Sequence, residues 1–356
     1  MKKIVFITNS ISYGGAAKML CFIAESIATI GHEVTIINLK NTGDKSGYIR
    51  SIDKKINLKQ VDSNKRINQI LDIYKISKEF KADTIVGFTS FPNIYAVIVG
   101  KMLHIPSIIS ERGDPSKTTG NSKIKDKIAN WIINLSAGGV FQTEGAMQFF
   151  GKKLQKRSIV IPNPIFVDDN VTRSCNKRNN TVVSVGRFDN YQKRYDVMLK
   201  SFKIFSENHP EYKLKLYGSG PDELYIKTLA CDLQIQNKIV FEGVSAKPME
   251  EIVNEGMFII TSDFEGISNS LLEAMAIGMP CVSTDHSPGG ARLLIQDHVN
   301  GLLAPVGDEI SLARAMNEFA DNEELANKCG KNAELVKVRF SPEIIIKQWN
   351  NYICSL

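Results

Sequence analysis

Short apolar runs alternate with amphipathic stretches along most of the chain. Residues 3–8 (KIVFIT) form an apolar run, residues 16–30 carry apolar side chains at helical spacing, and residues 34–37 (VTII) form the next apolar run. The order strand, helix, strand is the βαβ unit of a doubly wound parallel sheet. The start of the chain therefore predicts an α/β fold.

Later segments repeat this alternation in two blocks. In the first block we predict helix 65–80, strand 84–88, helix 92–103, strand 107–110, helix 121–135 and strand 140–143. Residues 162–164 (PNP) interrupt regular structure, and the polar residues 166–180 have the composition of a linker. In the second block we predict strand 182–185, helix 195–208, strand 213–217 and the glycine loop 218–221.

Two such blocks predict two Rossmann-like domains with a cleft between them, rather than a single barrel. We place the domains at residues 1–165 and 166–340, and residues 341–356 are predicted to form a final helix.

Composition excludes several classes of protein. The 356 residues are 43% hydrophobic and 23% charged, as in a globular chain of two ordinary domains. We expect no membrane-spanning helix, because no apolar run reaches the required length of about 18 residues. We also expect no signal peptide, because MKKIVFITNS lacks a small-residue cleavage site. The six cysteines and five histidines show no metal-ligand spacing, so we expect a reduced, cytoplasmic protein without a metal centre.

Positive charge is concentrated in the first half of the chain. Residues 1–178 hold 27 lysines and arginines against 14 acids, whereas the remainder holds 17 against 24. One interpretation is contact with an anionic partner, such as the inner face of a membrane or a phosphorylated acceptor. The other is a lysine-rich face in contact with solvent, and both stay open.

Residues 121–135 (NSKIKDKIANWIINL) predict a basic amphipathic helix within this half. Its apolar stripe and the lysines beside it comprise Ile124, Ile128, Trp131, Ile132, Leu135, Lys123, Lys125 and Lys127. Such a helix can lie on an anionic membrane. We expect the stripe itself to pack on the sheet, while the lysines remain available to lipid phosphates.

Residues 261–280 (TSDFEGISNSLLEAMAIGMP) carry the most specific chemical signal. A helix is predicted over 269–276, which places Glu265 in the preceding loop and Glu273 inside the helix. Carboxylates accept hydrogen bonds from vicinal hydroxyls, while a helix N-terminus offers unpaired amides to phosphate. The stretch therefore predicts a ligand with both a sugar and a phosphate. The alternative is a solvated loop acid and an ordinary surface acid.

The segment EGISNSLLE, residues 265–273, resembles the E-x7-E signature of the retaining nucleotide-sugar glycosyltransferases of family 4, which have the GT-B fold. The following segments AMAIGMPCVSTDHSPGGARLLI and NGLLAPVGD resemble that family as well. The resemblance implies an acceptor-binding first domain, a nucleotide-sugar-binding second domain, and a last helix that crosses back to the first. It also implies that Glu273 holds the ribose hydroxyls and Glu265 the hydroxyls of the transferred sugar. The amides that it assigns to the donor's diphosphate are those of Ile267, Ser268, Asn269 and Ser270.

Two cations in the second block suit a diphosphate. Arg187 and Lys193 follow a predicted strand, and ligands of open α/β sheets gather beyond the carboxyl ends of strands. Arginine offers a planar fork and lysine a compact charge to phosphate oxygens. Their segment, VGRFDNYQKRYDVMLKSF, resembles the family's GR…K block. The resemblance implies that Arg187 and Lys193 hold the leaving diphosphate and act with Glu265 in catalysis. The alternative is that both are ordinary cations on the surface.

Two glycine loops are candidate donor contacts. Gly14 with Gly15, and Gly218 with Gly220, allow close backbone approach and resemble the family's GG and G-x-G-P loops. A simple turn is the alternative in each case. Neither loop completes G-x-G-x-x-G, which argues against a dinucleotide enzyme, and neither GxxxxGK[ST] nor HExxH occurs.

Strand 107–110 is followed by Glu111 and Arg112, near the point where many family members have a histidine that contacts the transferred sugar. The chain departs from the family here. We expect acceptor or sugar contacts from Glu111 or Arg112.

Together these features predict a retaining, metal-independent hexosyltransferase that needs no cofactor. We expect a nucleotide sugar, UDP-linked by family tendency, as donor. The expected acceptor is a lipid-linked or growing cell-surface polysaccharide, as in bacterial lipopolysaccharide or capsule synthesis, and no nucleic acid partner is expected. The alternatives are a nucleotide-sugar epimerase or sugar phosphorylase of the same fold, and a non-catalytic nucleotide-sugar-binding regulatory subunit.

Overall fold

The computed structural model describes residues 1–11, 15–40, 52–117, 123–168, 171 and 178–356. The chain divides into two compact units, one formed by Met1–Pro164 with Pro342–Leu356, and the other by Ile165–Ser341. Each unit is built on one parallel sheet whose strands are joined by helices.

The first unit contains a seven-stranded sheet. Its strands are β1 (Lys3–Thr8), β2 (Glu33–Asn38), β3 (Asn57–Gln60), β4 (Thr84–Phe88), β5 (Ser107–Glu111), β6 (Gly138–Phe141) and β7 (Ser158–Val160). Its helices before residue 164 are α1 (Gly15–Thr29), α2 (Arg66–Phe80), α3 (Ser90–Leu103), α4 (Lys123–Ile133), α5 (Glu144–Gln148) and α6 (Lys152–Gln155). The strand order is β3-β2-β1-β4-β5-β6-β7, and all of these neighbours pair in parallel.

The central strands of this sheet follow directly from their sequences. All five residues of β4 (TIVGF) and all five of β5 (SIISE) are buried, the pattern of a parallel sheet covered on both faces. By contrast, β3 (NLKQ) is exposed throughout and pairs only with β2 at the sheet edge. Because β3 buries no apolar side chain, its sequence carries no strand pattern, and we did not predict it.

The second unit contains a six-stranded sheet. Its strands are β8 (Thr181–Val185), β9 (Lys213–Tyr217), β10 (Ile239–Gly243), β11 (Met257–Ile260), β12 (Cys281–Thr284) and β13 (Leu302–Ala304). Its helices are α7 (Asn190–Lys193), α8 (Tyr195–Asn208), α9 (Glu223–Asp232), α10 (Pro248–Ile252), α11 (Asn269–Ala276), α12 (Gly290–Leu294), α13 (Glu309–Asp321), α14 (Glu323–Ala333) and α15 (Val336–Arg339). The strand order is β10-β9-β8-β11-β12-β13, with parallel neighbours throughout.

Helix α8 shows how the apolar spacing becomes a core in this unit. Leu199, Phe202 and Phe205 are fully buried on its inner face, and the two phenylalanine rings lie 6.0 Å apart. Burial of a side chain of this size stabilises a fold by about 1.5–3 kcal/mol. The helix spans the residues predicted from the sequence, because its apolar face meets the sheet.

The last helix, α16 (Pro342–Ser355), belongs to the first unit. Trp349 and Ile353 are fully buried in it, and the Gly139 backbone N–H donates to the Tyr352 hydroxyl at 2.9 Å. A β-carbon on Gly138 would lie 2.0 Å from that hydroxyl oxygen, so the helix packs directly on the backbone of β6. The chain therefore returns to the unit in which it began.

Helix α4 corrects one expectation. We expected its apolar stripe to pack on the sheet, but Ile124, Ile128 and Trp131 are exposed. Of the predicted stripe, Ile132 is half-buried and packs against the core, beside the buried Ile133. The helix packs its less apolar side inward, so the stripe faces outward. No helix in the described ranges, α4 included, is long and apolar enough to cross a membrane. Residues 121 and 122 of the predicted helix lie outside the described residues.

Candidate functional site

The strand order of the second unit reverses between β8 and β11. Helical connections leave these two adjacent strands in opposite directions, so their carboxyl ends border a crevice where open α/β sheets bind ligands. The loop after β8 carries Arg187 and leads to Lys193, and the loop after β11 carries Glu265. The topology thus brings together segments that are far apart in the sequence.

Short helix α7 is held against the loop that follows β11. The Thr261 hydroxyl donates to the Lys193 carbonyl at 2.8 Å, and the Asp263 backbone N–H donates to the Gln192 carbonyl at 3.0 Å. The Gln192 amide donates in turn to the Phe264 carbonyl at 3.1 Å. These bonds fix the backbone of Lys193 relative to the loop.

Lys193 and Glu265 form a largely buried ion pair. Their Nζ and Oε1 atoms are 2.7 Å apart, and the side chains are 19% and 9% exposed. The Ser262 hydroxyl donates to the same carboxylate oxygen. Burial acts to raise the pKa of Glu265, but nearby Lys193 and His286, with the hydrogen bonds from Lys193 and Ser262, hold it below its ordinary value. Glu265 is therefore a carboxylate at neutral pH.

A second charged contact, not predicted from the sequence, reinforces this arrangement. Arg194 Nη1 lies 2.9 Å from one Asp263 carboxylate oxygen and 3.1 Å from the other, and its Nε lies 2.9 Å from Asp196 Oδ1. Arg194 has a positive φ of 51°, between α7 and α8. Its guanidinium therefore links the turn behind Lys193 to the loop in front of Glu265. Arg194 follows Lys193 directly, but its pairing with Asp263 is non-local, so no sequence spacing indicates it.

The glycine loops of this unit pack on each other. Gly218 has a φ of +136°, and a β-carbon there would lie 1.9 Å from the Gly186 carbonyl oxygen. A β-carbon on Gly220 would lie 2.3 Å from the Phe188 carbonyl oxygen. The structure therefore explains Gly218 and Gly220 by the close approach of the backbone that carries Arg187. Their contact with a donor stays a prediction.

Helix α11 has the bounds predicted from the sequence, with Glu265 before it and Glu273 in its second turn. Ser268 is the N-cap residue, but its side chain makes no capping hydrogen bond, and its Oγ lies 3.2 Å from Ser270 Oγ. Ile267 is buried, whereas Asn269 is half-buried in the first turn. The amides that begin this helix remain the predicted phosphate contacts.

His286 is a buried group that the sequence did not single out. It is 1% exposed, and its Nε2 has no hydrogen-bond partner among the described residues. Burial lowers its pKa, although Glu265 acts in the opposite direction. A neutral imidazole therefore lies close to the ion pair of Lys193 and Glu265. The spacing of the histidines along the chain gives no sign of this position.

The positions of Arg187 and Glu273 are set by the segments that carry them. Arg187 is exposed in the loop after β8, and its carbonyl accepts a hydrogen bond from the Asp189 backbone N–H at 2.9 Å. Glu273 is half-buried inside α11. Lys193 and Glu265 thus contact each other directly. Arg187 lies in the loop that leads to α7, and Glu273 lies in α11, the helix that follows the Glu265 loop.

The predicted residues of the first unit have mixed positions. Gly14 lies outside the described residues, and Gly15 is the first residue of α1. Glu111 is buried at the end of β5, and its carboxylate accepts from the Arg112 backbone N–H at 3.1 Å. Burial raises the pKa of Glu111 to about 7 and lowers that of Arg112 to about 9.

The Arg112 guanidinium is engaged within the first unit. It donates to the Ile161 carbonyl at 3.4 Å and to the Asn163 side chain, and it lies 5.5 Å from the centre of the Phe88 ring. It therefore ties the end of β5 to the segment after β7. Its predicted contact with an acceptor or sugar is not tested by these interactions.

Comparison with known proteins shows what this part of the chain is similar to. Residues 170–336 match the family model described as Glycosyl transferases group 1. Arg187, Lys193, Glu265 and Glu273 all lie inside the matched range. In the described residues, no group of three or more His, Cys, Asp or Glu could hold a metal ion.

The chain is similar over its whole length to two bacterial proteins. It is 25% identical over 365 residues, 99% of this chain and 100% of the relative, to a Haemophilus influenzae protein described as an uncharacterized glycosyltransferase. It is also 25% identical over 370 residues, 100% of this chain and 99% of the relative, to a Campylobacter jejuni enzyme. That enzyme is GalNAc-alpha-(1->4)-GalNAc-alpha-(1->3)-diNAcBac-PP-undecaprenol alpha-1,4-N-acetyl-D-galactosaminyltransferase.

The fold of the chain is that of solved glycosyltransferase structures. The crystal structure of Anabaena Alr3699/HepE in complex with UDP matches with a TM-score of 0.83 and 18% identity, covering 99% of this chain and 100% of the other. This likeness concerns the fold, and it confirms the predicted GT-B class with two Rossmann-like units.

Proposed function

We propose that the protein is a retaining glycosyltransferase that moves a hexose-type sugar from UDP to a lipid-linked or growing cell-surface polysaccharide. The observation that carries the proposal is the 2.7 Å contact between Lys193 and Glu265 at the point where the strand order of the second sheet reverses. A cation for phosphate and a carboxylate for hydroxyls meet there, as a sugar diphosphate requires.

In this proposal the donor diphosphate binds at Lys193 and Arg187. A lysine ammonium has three donors, and Glu265 accepts one of them at 2.7 Å, so the others can bond phosphate oxygens. Arg187 is exposed at the end of β8 and adds a second cation. The amides that begin α11 add donors and the positive end of the helix dipole.

The two acids bind the hydroxyl groups of the donor. Glu265 is held as a carboxylate beside Lys193 and contacts the sugar that is transferred. Glu273 lies in the second turn of α11 and holds the ribose. Because Lys193 is fixed by Glu265, sugar and diphosphate are oriented by one ion pair, and the reacting carbon is placed relative to both.

The proposed reaction breaks the bond between the sugar's anomeric carbon and the diphosphate oxygen. The acceptor hydroxyl oxygen forms the new bond on the same face, and the leaving phosphate takes the acceptor's proton. Lys193, Arg187 and the α11 amides stabilise the charge that develops on the diphosphate, which is electrostatic catalysis by preorganised groups. No metal or cofactor is part of the proposal.

The choice of UDP and of a lipid-linked acceptor is supported by similar proteins. The Anabaena structure holds UDP, and the Campylobacter jejuni relative is described as acting on an undecaprenol-linked saccharide. The proposal places the first unit at the acceptor and the second unit at the donor.

A donor panel followed by a transfer assay tests the proposal. UDP-, GDP- and ADP-sugars are compared by thermal shift, and the best binder is supplied with a bacterial membrane extract as acceptor, with and without EDTA. We expect UDP-sugars to raise the melting temperature most, and UDP to be released only when acceptor is present. The anomeric configuration of the product, read by NMR, should match that of the donor.

Five outcomes would contradict parts of this proposal. Inversion at the anomeric carbon removes the retaining mechanism, and loss of turnover in EDTA removes metal independence. Donor binding without turnover on any extract would indicate a non-catalytic binding subunit. Conversion of the nucleotide sugar without acceptor would instead indicate an epimerase, and formation of a sugar 1-phosphate from a glycan and inorganic phosphate would indicate a phosphorylase.

A further inference from the structure

Helix α4 carries an apolar stripe that no described part of the chain covers. Ile124, Ile128 and Trp131 are 73%, 54% and 66% exposed. At about 100° per residue the three fall within roughly 60° of one another around the helix. Ile133, on the opposite side, is buried, so the stripe points away from the core of the first unit.

The surroundings of this stripe are strongly basic. Lys125 and Lys127 are exposed on α4 itself. At the end of the helix, Asn134 accepts hydrogen bonds from the Gly151 backbone N–H at 3.0 Å and from Arg157 Nη2 at 3.1 Å, which brings the α6 segment alongside. That segment adds the exposed residues Lys152, Lys153, Lys156 and Arg157. Over residues 123–157 the sequence has seven lysines and arginines against two acids, Asp126 and Glu144.

We propose that this α4 face, comprising Ile124, Ile128, Trp131 and the lysines and arginines around them, docks on an anionic lipid surface. Isoleucine and tryptophan side chains partition into the headgroup region of a bilayer, while lysines pair with lipid phosphates. Both halves of that chemistry lie on one exposed surface here. The helix lies flat on the surface and does not cross it, in agreement with its length of 11 residues.

The positive charge of the α4 face favours a lipid surface over a second copy of the chain as its binding partner. Two copies meeting through the α4 face would bring the same positive charges together, and like charges across an interface oppose association. An anionic bilayer supplies both the negative charge and the apolar layer that the stripe requires. The inference does not depend on the proposed donor chemistry, because the α4 face lies in the first unit and can be tested without a donor.

The two tryptophans allow a direct test. Trp131 is 66% exposed and Trp349 is fully buried, so a change in tryptophan emission on mixing with vesicles reports on Trp131. The full-length protein is titrated with vesicles of equal parts phosphatidylglycerol and phosphatidylcholine. We expect a blue shift that is absent with pure phosphatidylcholine, weakens with added salt, and is lost in the variant Trp131→Phe.

Variants separate the charged and apolar contributions, with vesicle sedimentation as the readout. The double variant Lys125→Gln with Lys127→Gln should lower the partition coefficient roughly 30-fold. Ile124→Ser with Ile128→Ser should lower it at least about 10-fold. Because these side chains are exposed, the melting temperature should stay unchanged. The matched control is Leu224→Ser, which removes a 77% exposed apolar side chain from α9 in the second unit and should leave the partition coefficient unchanged.

Several results would overturn the proposal. One is an emission spectrum that does not shift with phosphatidylglycerol vesicles. Another is binding to pure phosphatidylcholine vesicles that equals binding to vesicles with phosphatidylglycerol. A third is vesicle binding by both double variants that equals binding by the wild type. A shift that depends on protein concentration without vesicles would assign the face to a second copy of the chain and would also overturn it.

Discussion

Lys193 and Glu265 are 72 positions apart in the sequence, yet their side chains meet at 2.7 Å. The contact exists because β8 and β11 are neighbours at the point where the strand order reverses. Ser262 donates to the same carboxylate, and the Glu265 backbone N–H donates to the Ser287 carbonyl at 2.8 Å. The carboxylate of Glu265 is therefore held by its own loop and by α7, and its backbone is held by the loop after β12.

The substitution Glu265→Gln should impair the proposed sugar transfer more than it impairs donor binding. The amide keeps the shape of the side chain but removes the charge that holds Lys193. We expect kcat to fall by about 100-fold or more, as when one group that stabilises developing charge is lost, while the thermal shift produced by UDP is retained. Steady-state release of UDP in the presence of acceptor measures this.

Glu273→Gln serves as the matched control for that variant, because it makes the same chemical change inside α11. It should raise the donor KM and leave kcat closer to the wild-type value. Identical kinetics for the two variants would contradict the separate roles assigned to the two acids.

The stability of the second unit should depend on pH through Glu265. Its pKa in the folded protein lies below the ordinary value, so its contribution is complete above the ordinary glutamate pKa, about 4.3, and is lost as the pH falls through the lower folded value. The free energy of unfolding of the wild type should therefore fall toward that of Glu265→Gln as the pH is lowered past about 4.

Denaturant unfolding of both proteins across this pH range measures the difference. Asp196 and Glu255 also have depressed pKa values, but they titrate in both proteins, and their effect cancels in the comparison. A difference that is constant with pH would show that the charge of Glu265 does not stabilise the fold.

The substitution Gly218→Ala should destabilise the second unit. Its φ of +136° disfavours any residue with a β-carbon, and the added carbon would lie 1.9 Å from the Gly186 carbonyl oxygen. We expect the free energy of unfolding to fall by about 1–3 kcal/mol. Because the displaced backbone carries Arg187, the donor KM should rise as well.

Gly113→Ala is a suitable control for this variant. A β-carbon on Gly113 meets no atom within 4 Å. Its free energy of unfolding should stay close to that of the wild type. Equal melting temperatures for the two alanine variants would show that a β-carbon at residue 218 does not clash with the Gly186 carbonyl oxygen.

The substitution Tyr352→Phe should loosen the last helix from the first unit. The tyrosine hydroxyl accepts from the Gly139 backbone N–H and donates to the Arg157 carbonyl. Loss of the hydroxyl leaves a buried backbone group without its partner, which costs about 1–3 kcal/mol. Hydrogen exchange of the Gly139 amide should become faster, and an unchanged exchange rate would contradict the role assigned to Tyr352. Tyr225→Phe on α9 is a control, since Tyr225 is exposed.

Local patterns were sufficient to predict most elements of both sheets. β4 (Thr84–Phe88), α8 (Tyr195–Asn208) and α11 (Asn269–Ala276) have the bounds expected from their apolar spacing and stop signals. In these elements the side chains that define the pattern are also the ones that the core buries. The exposed edge strand β3 was missed because no such side chains exist there.

The sequence by itself determined most of the regular elements and the loop and helix that carry Glu265 and Glu273, since these depend on neighbours along the chain. Its resemblance to a known family indicated the GT-B fold class. Only the tertiary structure decided that Lys193 pairs with Glu265, that Arg194 reaches Asp263, and that the apolar side of α4 stays exposed. Helical spacing places residues on one side of a helix, but the neighbouring elements determine which side they cover. Likewise, a residue's charge is known from the sequence, whereas its partner depends on which strands lie side by side.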